Sequence, residues 1–144
     1  MMNNEFSTNE EWIKLKEDEI PKGDRYAVTK IVEDEIGTKI FLDNGISAIE
    51  VFFDGVPLLT RNSCIDGVRM RTWSEAQEKY DDYFFSKDFF FEVKNSRLVD
   101  WIIEESYGVY EKEKITHYCI VADDGFIDIV ATFEPKVTIS KMGE

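Results

Sequence analysis

Few residues of this chain have the types and spacing that chemistry requires, and those few constrain one another. His117 is the only histidine, and Cys119 follows two positions later, so in a strand both side chains share one face. A Ser-His-Asp site would have to use His117 as its base, but no GxSxG elbow is present to offer a nucleophilic serine. A single histidine in the middle of a strand therefore reads as structural or surface. Zinc needs three or four ligands, and Cys64 and Cys119 have neither a CxxC partner nor a second histidine. Cys64 falls in the polar run Arg61-Asn-Ser-Cys-Ile-Asp66, with Arg61 the only nearby cation, so an inert thiol in a loop is expected.

Carboxylates are abundant, and pairs such as Glu33/Glu35, Asp81/Asp82 and Asp123/Asp124 do not define a catalytic dyad by themselves. The calcium pattern D-x-[DN]-x-[DN]-G with a later Glu is absent, and a hairpin turn accounts for Asp123-Asp124-Gly125. Neither GxxxxGK[ST] nor GxGxxG occurs. The sequence therefore assigns no catalytic, metal or cofactor-binding residue, and no cofactor is expected. One run is unusual in composition: Tyr80-Asp-Asp-Tyr-Phe-Phe-Ser-Lys-Asp-Phe-Phe-Phe91 holds seven aromatics in twelve residues. One helix face and a short strand cannot easily hide that many rings. Tyr80, Asp81, Asp82, Tyr83, Phe85, Asp88 and Phe89 are thus the candidate partner-binding surface, aromatic with an acidic rim. Stacking on nucleic acid would need interleaved cations, and only Lys79 and Lys87 are at hand.

Charge points the same way. The 144 residues carry 17 Lys and Arg against 30 Asp and Glu, a net charge of −13. Such a molecule is repelled by phosphate backbones, so nucleic acid is excluded as a generic partner. A basic protein, such as a nuclease or another toxin, would be attracted. No apolar run approaches the roughly 20 residues of a membrane-spanning helix. The start, Met-Met-Asn-Asn-Glu-Phe-Ser, lacks the pattern of a signal peptide, and two free thiols suit a reducing compartment. A cytoplasmic protein without a membrane partner is expected.

The elements that would position these residues read as one domain spanning 1–144, with 1–6 and 138–144 as loose tails. Ser7 or Thr8, with Glu10 or Glu11, forms a capping box for a short helix carrying Trp12 and Leu15, stopped by Pro21 and Gly23. Residues 25–33 read as a strand, and 36–42 and 47–53 as a hairpin turning at Asn44-Gly45. That turn opposes Ile40 to Ile49 and Lys39 to Glu50, and puts Ile40, Leu42, Ile49, Val51 and Phe53 on a core face. Extended pieces are expected at 57–60 and 67–72, with polar 62–67 between them, then a helix over 74–85 with Gln77 in its capping box. Phe89–Val93 suits a short strand. Asn95-Ser96 caps a helix over 96–107 with Gly108 at C′. A second hairpin, 115–122 with 126–133, turns at Asp124-Gly125. It opposes Ala122 to Ile127, Ile120 to Ile129 and Tyr118 to Ala131 on the core side, leaving His117, Cys119, Val121, Asp128, Val130 and Thr132 on the other. The architecture expected is α+β: one antiparallel sheet of five to seven strands with two to three helices mainly on one face.

Three segments, Val51-Phe-Phe-Asp-Gly-Val-Pro-Leu-Leu59, His117-Tyr-Cys-Ile-Val-Ala-Asp-Asp-Gly-Phe-Ile-Asp-Ile-Val130 and Phe133-Glu-Pro-Lys-Val137, resemble parts of small acidic bacterial proteins of the toxin-immunity type. The likeness spans about 47–137. It implies a non-enzymatic partner role and transfers no functional residue. The expected function is therefore a protein-binding domain, an immunity or inhibitor protein that neutralises a basic toxin or nuclease. The alternative is a structural or assembly subunit, a homodimer joined through the sheet face bearing Phe41 and Phe52. A carboxylate-based enzyme ranks third.

Overall fold

The structure, a computed structural model, describes residues 10–64, 80, 88–111, 114–122 and 125–142. Nine strands and one helix are found among them: β1 (Glu11–Lys14), β2 (Ala27–Glu33), β3 (Gly37–Asp43), β4 (Ser47–Asp54), β5 (Leu59–Cys64), β6 (Phe90–Lys94), α1 (Arg97–Glu105), β7 (Thr116–Ala122), β8 (Gly125–Ala131) and β9 (Lys136–Lys141). The strands form two antiparallel sheets, one ordered β1-β6-β7-β8-β5 and the other β2-β3-β4-β9. The expected α+β architecture is thereby corrected to a mostly β one with a single short helix among the described residues. The physical reason lies in the two hairpins. Each presents one fully apolar face, and two sheets facing each other bury both faces at once.

That shared core holds Ile40, Leu42, Ile49, Val51 and Phe53 from the four-stranded sheet against Phe90, Tyr118, Ile120, Ile127, Ile129 and Ala131 from the five-stranded one. Phe53 meets Tyr118 edge-on with ring centroids 5.4 Å apart, and Tyr118 stacks on Phe90 at 5.9 Å. Burial holds the Tyr118 hydroxyl in its neutral form, with Glu134 and Glu92 adding to the effect, and its pKa is pushed up to about 12. The five-stranded sheet is covered on its other face too. Trp12, Phe91, Val93, Cys119, Val121 and Phe126 form one buried cluster there, and α1 lays Leu98, Val99 and Ile102 over Ile115 and Val130 in another. The face opposite the expected core side is therefore interior as well.

Both hairpins slip by two residues from the expected register. Asp43 pairs with Ala48 and Ile40 with Val51, because Asx hydrogen bonds define the loop: Asn44 Oδ1 accepts from Ile46 N (3.0 Å) and Ser47 N (2.8 Å), and Asp43 Oδ1 from Gly45 N. Lys39 consequently opposes Phe52 rather than Glu50, and its ammonium lies 5.0 Å from that ring centroid. In the second hairpin Ala122 pairs with Gly125 and Ile120 with Ile127, so two residues, 123 and 124, separate the strands. An even slip keeps every side chain on its expected face, and the apolar sets are the expected ones.

The chain near Trp12 is strand β1 and not a helix. Trp12 pairs with Val93, and its ring meets Phe91 edge-on at 5.6 Å, so pairing with β6 outweighs the i, i+3 pattern of Trp12 and Leu15. The capping residues proposed at 7 and 8, the extended piece at 67–72 and the helix over 74–85 lie outside the described residues, save Tyr80 and the 10–20 part of the first helix. Backbone 62–64, expected to be loop, belongs to β5. Residues 138–141, expected to be tail, belong to edge strand β9. Gly37 is required by close approach: a Cβ there would sit 2.0 Å from the Phe53 carbonyl oxygen.

Candidate functional site

Two groups of side chains hold the chemistry, one at each end of α1. At its start, Ser96 is the N-cap, with Oγ accepting from Val99 N at 3.1 Å. The same Oγ lies 2.8 Å from His117 Nδ1. His117 Nε2 lies 2.7 Å from Asp128 Oδ1, and because a carboxylate only accepts, Nε2 carries the proton of that bond. Arg61 completes the chain, donating to Asp128 Oδ2 from Nη2 at 2.9 Å and from Nε at 3.2 Å. Strand β7 supplies the histidine, β8 the aspartate and β5 the arginine, all on the face covered by α1 and its neighbours.

Burial by itself would raise the Asp128 pKa. The hydrogen bond and charge of His117, together with Arg61, outweigh it and hold the carboxyl below the ordinary 3.8. Cys119, opposite Asp128 in the ladder, is fully enclosed, and burial, reinforced by the Asp128 charge, pushes its thiol well above 9.0. It is an inert thiol. The Ser-His-Asp order looks like that of a nucleophilic triad, but Ser96 is only 2% exposed and its oxygen caps a helix. Its hydrogen bonds bind α1 to the sheet. Glu10 strengthens that anchorage, its buried carboxylate accepting from Arg97 N at 2.8 Å. The helix N-terminus thus meets an oxygen cap and a negative charge, both of which its dipole favours.

The other end is built differently. Ser106 is the C-cap, Gly108 N donates to Ile103 O at 3.0 Å and Tyr107 N to Glu104 O at 3.1 Å, the pair of bonds of a Schellman turn. The left-handed C′ position (φ 55°) is filled by Tyr107, and the expected Gly108 stands one residue later. Tyr107 is 97% exposed, and Trp101, Val109 and Tyr110 are exposed beside it in sequence. Trp101, Glu104 and Glu105 stand at i, i+3 and i+4 on the outer face, and no basic residue occupies the last turn. Acids at the negative end of a helix dipole are unfavourable by a few tenths of a kcal/mol to about 1 kcal/mol.

Of the residues picked out in the sequence as a binding surface, Phe89 lies in the core, 4.9 Å from the Tyr26 ring. Asp88 is buried and held by Lys14 at 3.1 Å and by Lys22. Neither offers surface to a partner. Tyr80 is half-buried and its hydroxyl accepts from Trp12 N at 3.1 Å. Asp81, Asp82, Tyr83 and Phe85 lie outside the described residues. Sequence reasoning missed the exposed apolar residues after Trp101. A signal was present, since Tyr-Gly-Val-Tyr follows Glu104-Glu105-Ser106 with no cation before Lys112.

Among the described residues no helix is long and apolar enough to cross a membrane, and no group of three or more His, Cys, Asp or Glu is arranged to hold a metal ion. Comparison with protein-family models, with curated proteins and with solved structures finds no match to this chain.

Proposed function

We propose that the protein is a non-enzymatic binding domain that captures a basic protein in the cytoplasm, in the manner of an immunity protein covering the working surface of a toxin or nuclease. The observation that carries this reading is the C-terminal end of α1, where exposed Trp101, Tyr107 and Val109 adjoin Glu104 and Glu105. Exposed aromatics supply contact area and carboxylates supply steering, the division of labour that tight complexes use. The remaining acidity supports it. Buried Asp88 and Asp128 are matched within the fold by Lys14, Lys22 and Arg61, so the net charge of −13 comes from carboxylates elsewhere.

The test is capture from an extract of the cells that make the protein, at about 50 mM and about 500 mM salt, which differ several-fold in charge screening. The wild type should hold a basic protein at low salt and release it at high salt, and a Trp101→Ala/Tyr107→Gly variant should hold far less. Equal retention at both salts, or by both proteins, would overturn the reading.

A homodimer is the second reading, favoured by the outer face of the four-stranded sheet. There Lys30, Lys39 and Lys136 balance Asp43, Glu50 and Asp54 around the half-buried Phe41 and Phe52 rings. A strictly monomeric mass in light scattering at high concentration would remove it.

A further inference from the structure

Independently of what the domain captures, we infer that β9 is a dimerisation edge, to which a second copy of the chain adds its own β9, antiparallel about a two-fold axis at Ile139. Met142 N donates to Ile46 O at 2.8 Å, and backbone bonds alternate along an antiparallel ladder. Ser140, Thr138 and Lys136 therefore also turn their backbone groups toward β4, whereas Val137, Ile139 and Lys141 turn theirs away from it. Among the described residues β9 is an outer strand of its sheet. Its ladder with β4 runs unbroken through six pairs and contains no proline. The other edge of the same sheet, β2, is interrupted by a bulge between Val28 and Lys30, a device that discourages edge pairing.

The outward groups of β9 are complementary to themselves. With Ile139 opposite Ile139, Val137 of each copy faces Lys141 of the other, and every outward N–H and C=O of the three residues finds a partner. The same register opposes Thr138 to Ser140, a pair suited to a cross-strand hydrogen bond, and Lys136 to Met142. It extends the row Lys39-Phe52-Lys136 of one copy into Met142 and Ile46 of the other, both exposed in the single chain. The Lys136 stem and the half-buried Phe52 ring give those two side chains apolar neighbours. Charge selects a second copy over a basic strand. Lys136 and Lys141 flank the edge, no carboxylate lies within 136–142, and each lysine meets an uncharged residue on a molecule of net charge −13. Six residues make only about 20 Å of contact, so the dimer is weak and reversible.

Sedimentation and residue-resolved amide exchange of the full chain, compared at about 20 µM and about 1 mM, span the range expected of so small an interface. A reversible dimer should form at the higher concentration, and exchange at Val137, Ile139 and Lys141 should slow several-fold with it. Lys136, Thr138 and Ser140, already bonded to β4, should exchange slowly at both concentrations. Two exposed-site variants test the register. T138K/S140K opposes like charges on either side of the axis and should weaken dimerisation about tenfold. T138K/S140E opposes unlike charges at the same places and should dimerise at least as well as the wild type. Unchanged exchange at β3 and β4 in both variants shows that the fold is kept. A strict monomer at the higher concentration would overturn the inference. So would a dimer that leaves the three outward amides unprotected, which would place the contact elsewhere, as on the Phe41 and Phe52 face. Equal weakening by both variants would overturn the register and the inference with it.

Discussion

Asp128 shows how one residue can look chemical and act mechanically. Its carboxylate is 1% exposed and receives His117 on one oxygen and Arg61 on the other, so neither strand can move without exposing an unmatched charge. Asp128→Asn leaves Arg61 facing a neutral amide at a buried position, and the expected cost is about 2–3 kcal/mol, read by urea unfolding at neutral pH. The pH dependence follows from the depressed pKa. A carboxyl lowered in the fold contributes stability that is present above 3.8 and is lost as the pH falls through its lower folded value. As the pH falls from about 5 through 3.8 and below, stability of the wild type should drop more steeply than that of Asp128→Asn. Parallel curves would show that this carboxylate is not what acid titrates.

At the scale of elements, Gly37 makes the sharpest prediction. Its Cβ would overlap a backbone oxygen of β4, and backbone cannot swing aside as a long side chain does. Gly37→Ala should therefore destabilise by about 2 kcal/mol or more and loosen the paired end of β3 and β4, visible as faster amide exchange at Thr38 and Phe53. Much at this scale was legible beforehand. The apolar faces of both hairpins and the Ser96 cap were readable because periodicity and capping are local rules. The registers were not: the Asp43–Ala48 pairing leaves more than two residues where Asn44-Gly45 advertises a two-residue turn, and the two-residue separation expected at Asp124-Gly125 falls one position earlier, at 123 and 124. Asx bonds from Asp43 and Asn44 shift the first hairpin by two residues, and Ala122 pairs with Gly125 in the second. The burial of His117, Cys119 and Asp128 depends on α1 and β5 reaching that face, information that lies far away in the chain. The Trp12 segment was misread because its partner strand, β6, lies almost eighty positions later.

For the whole molecule, an excess of thirteen negative charges opposes compaction through self-repulsion. Added sodium chloride up to about 0.2 M should raise the melting temperature, because the Debye length drops to about 8 Å near 0.15 M; a melting point that falls with salt would mean that attractive pairs dominate instead. The same salt should weaken capture of a basic partner, so stability and binding respond in opposite directions. Tyr107 condenses that opposition into one position. A non-glycine residue in the left-handed region carries a cost of about 1–2 kcal/mol, tolerated here with the ring almost wholly in water. The most direct measurement is therefore a double one on Tyr107→Gly: its unfolding free energy, and its affinity for the captured basic protein. The account predicts a gain of about 1 kcal/mol in stability together with weaker binding. A variant that is no more stable, or that binds as tightly as the wild type, would contradict it.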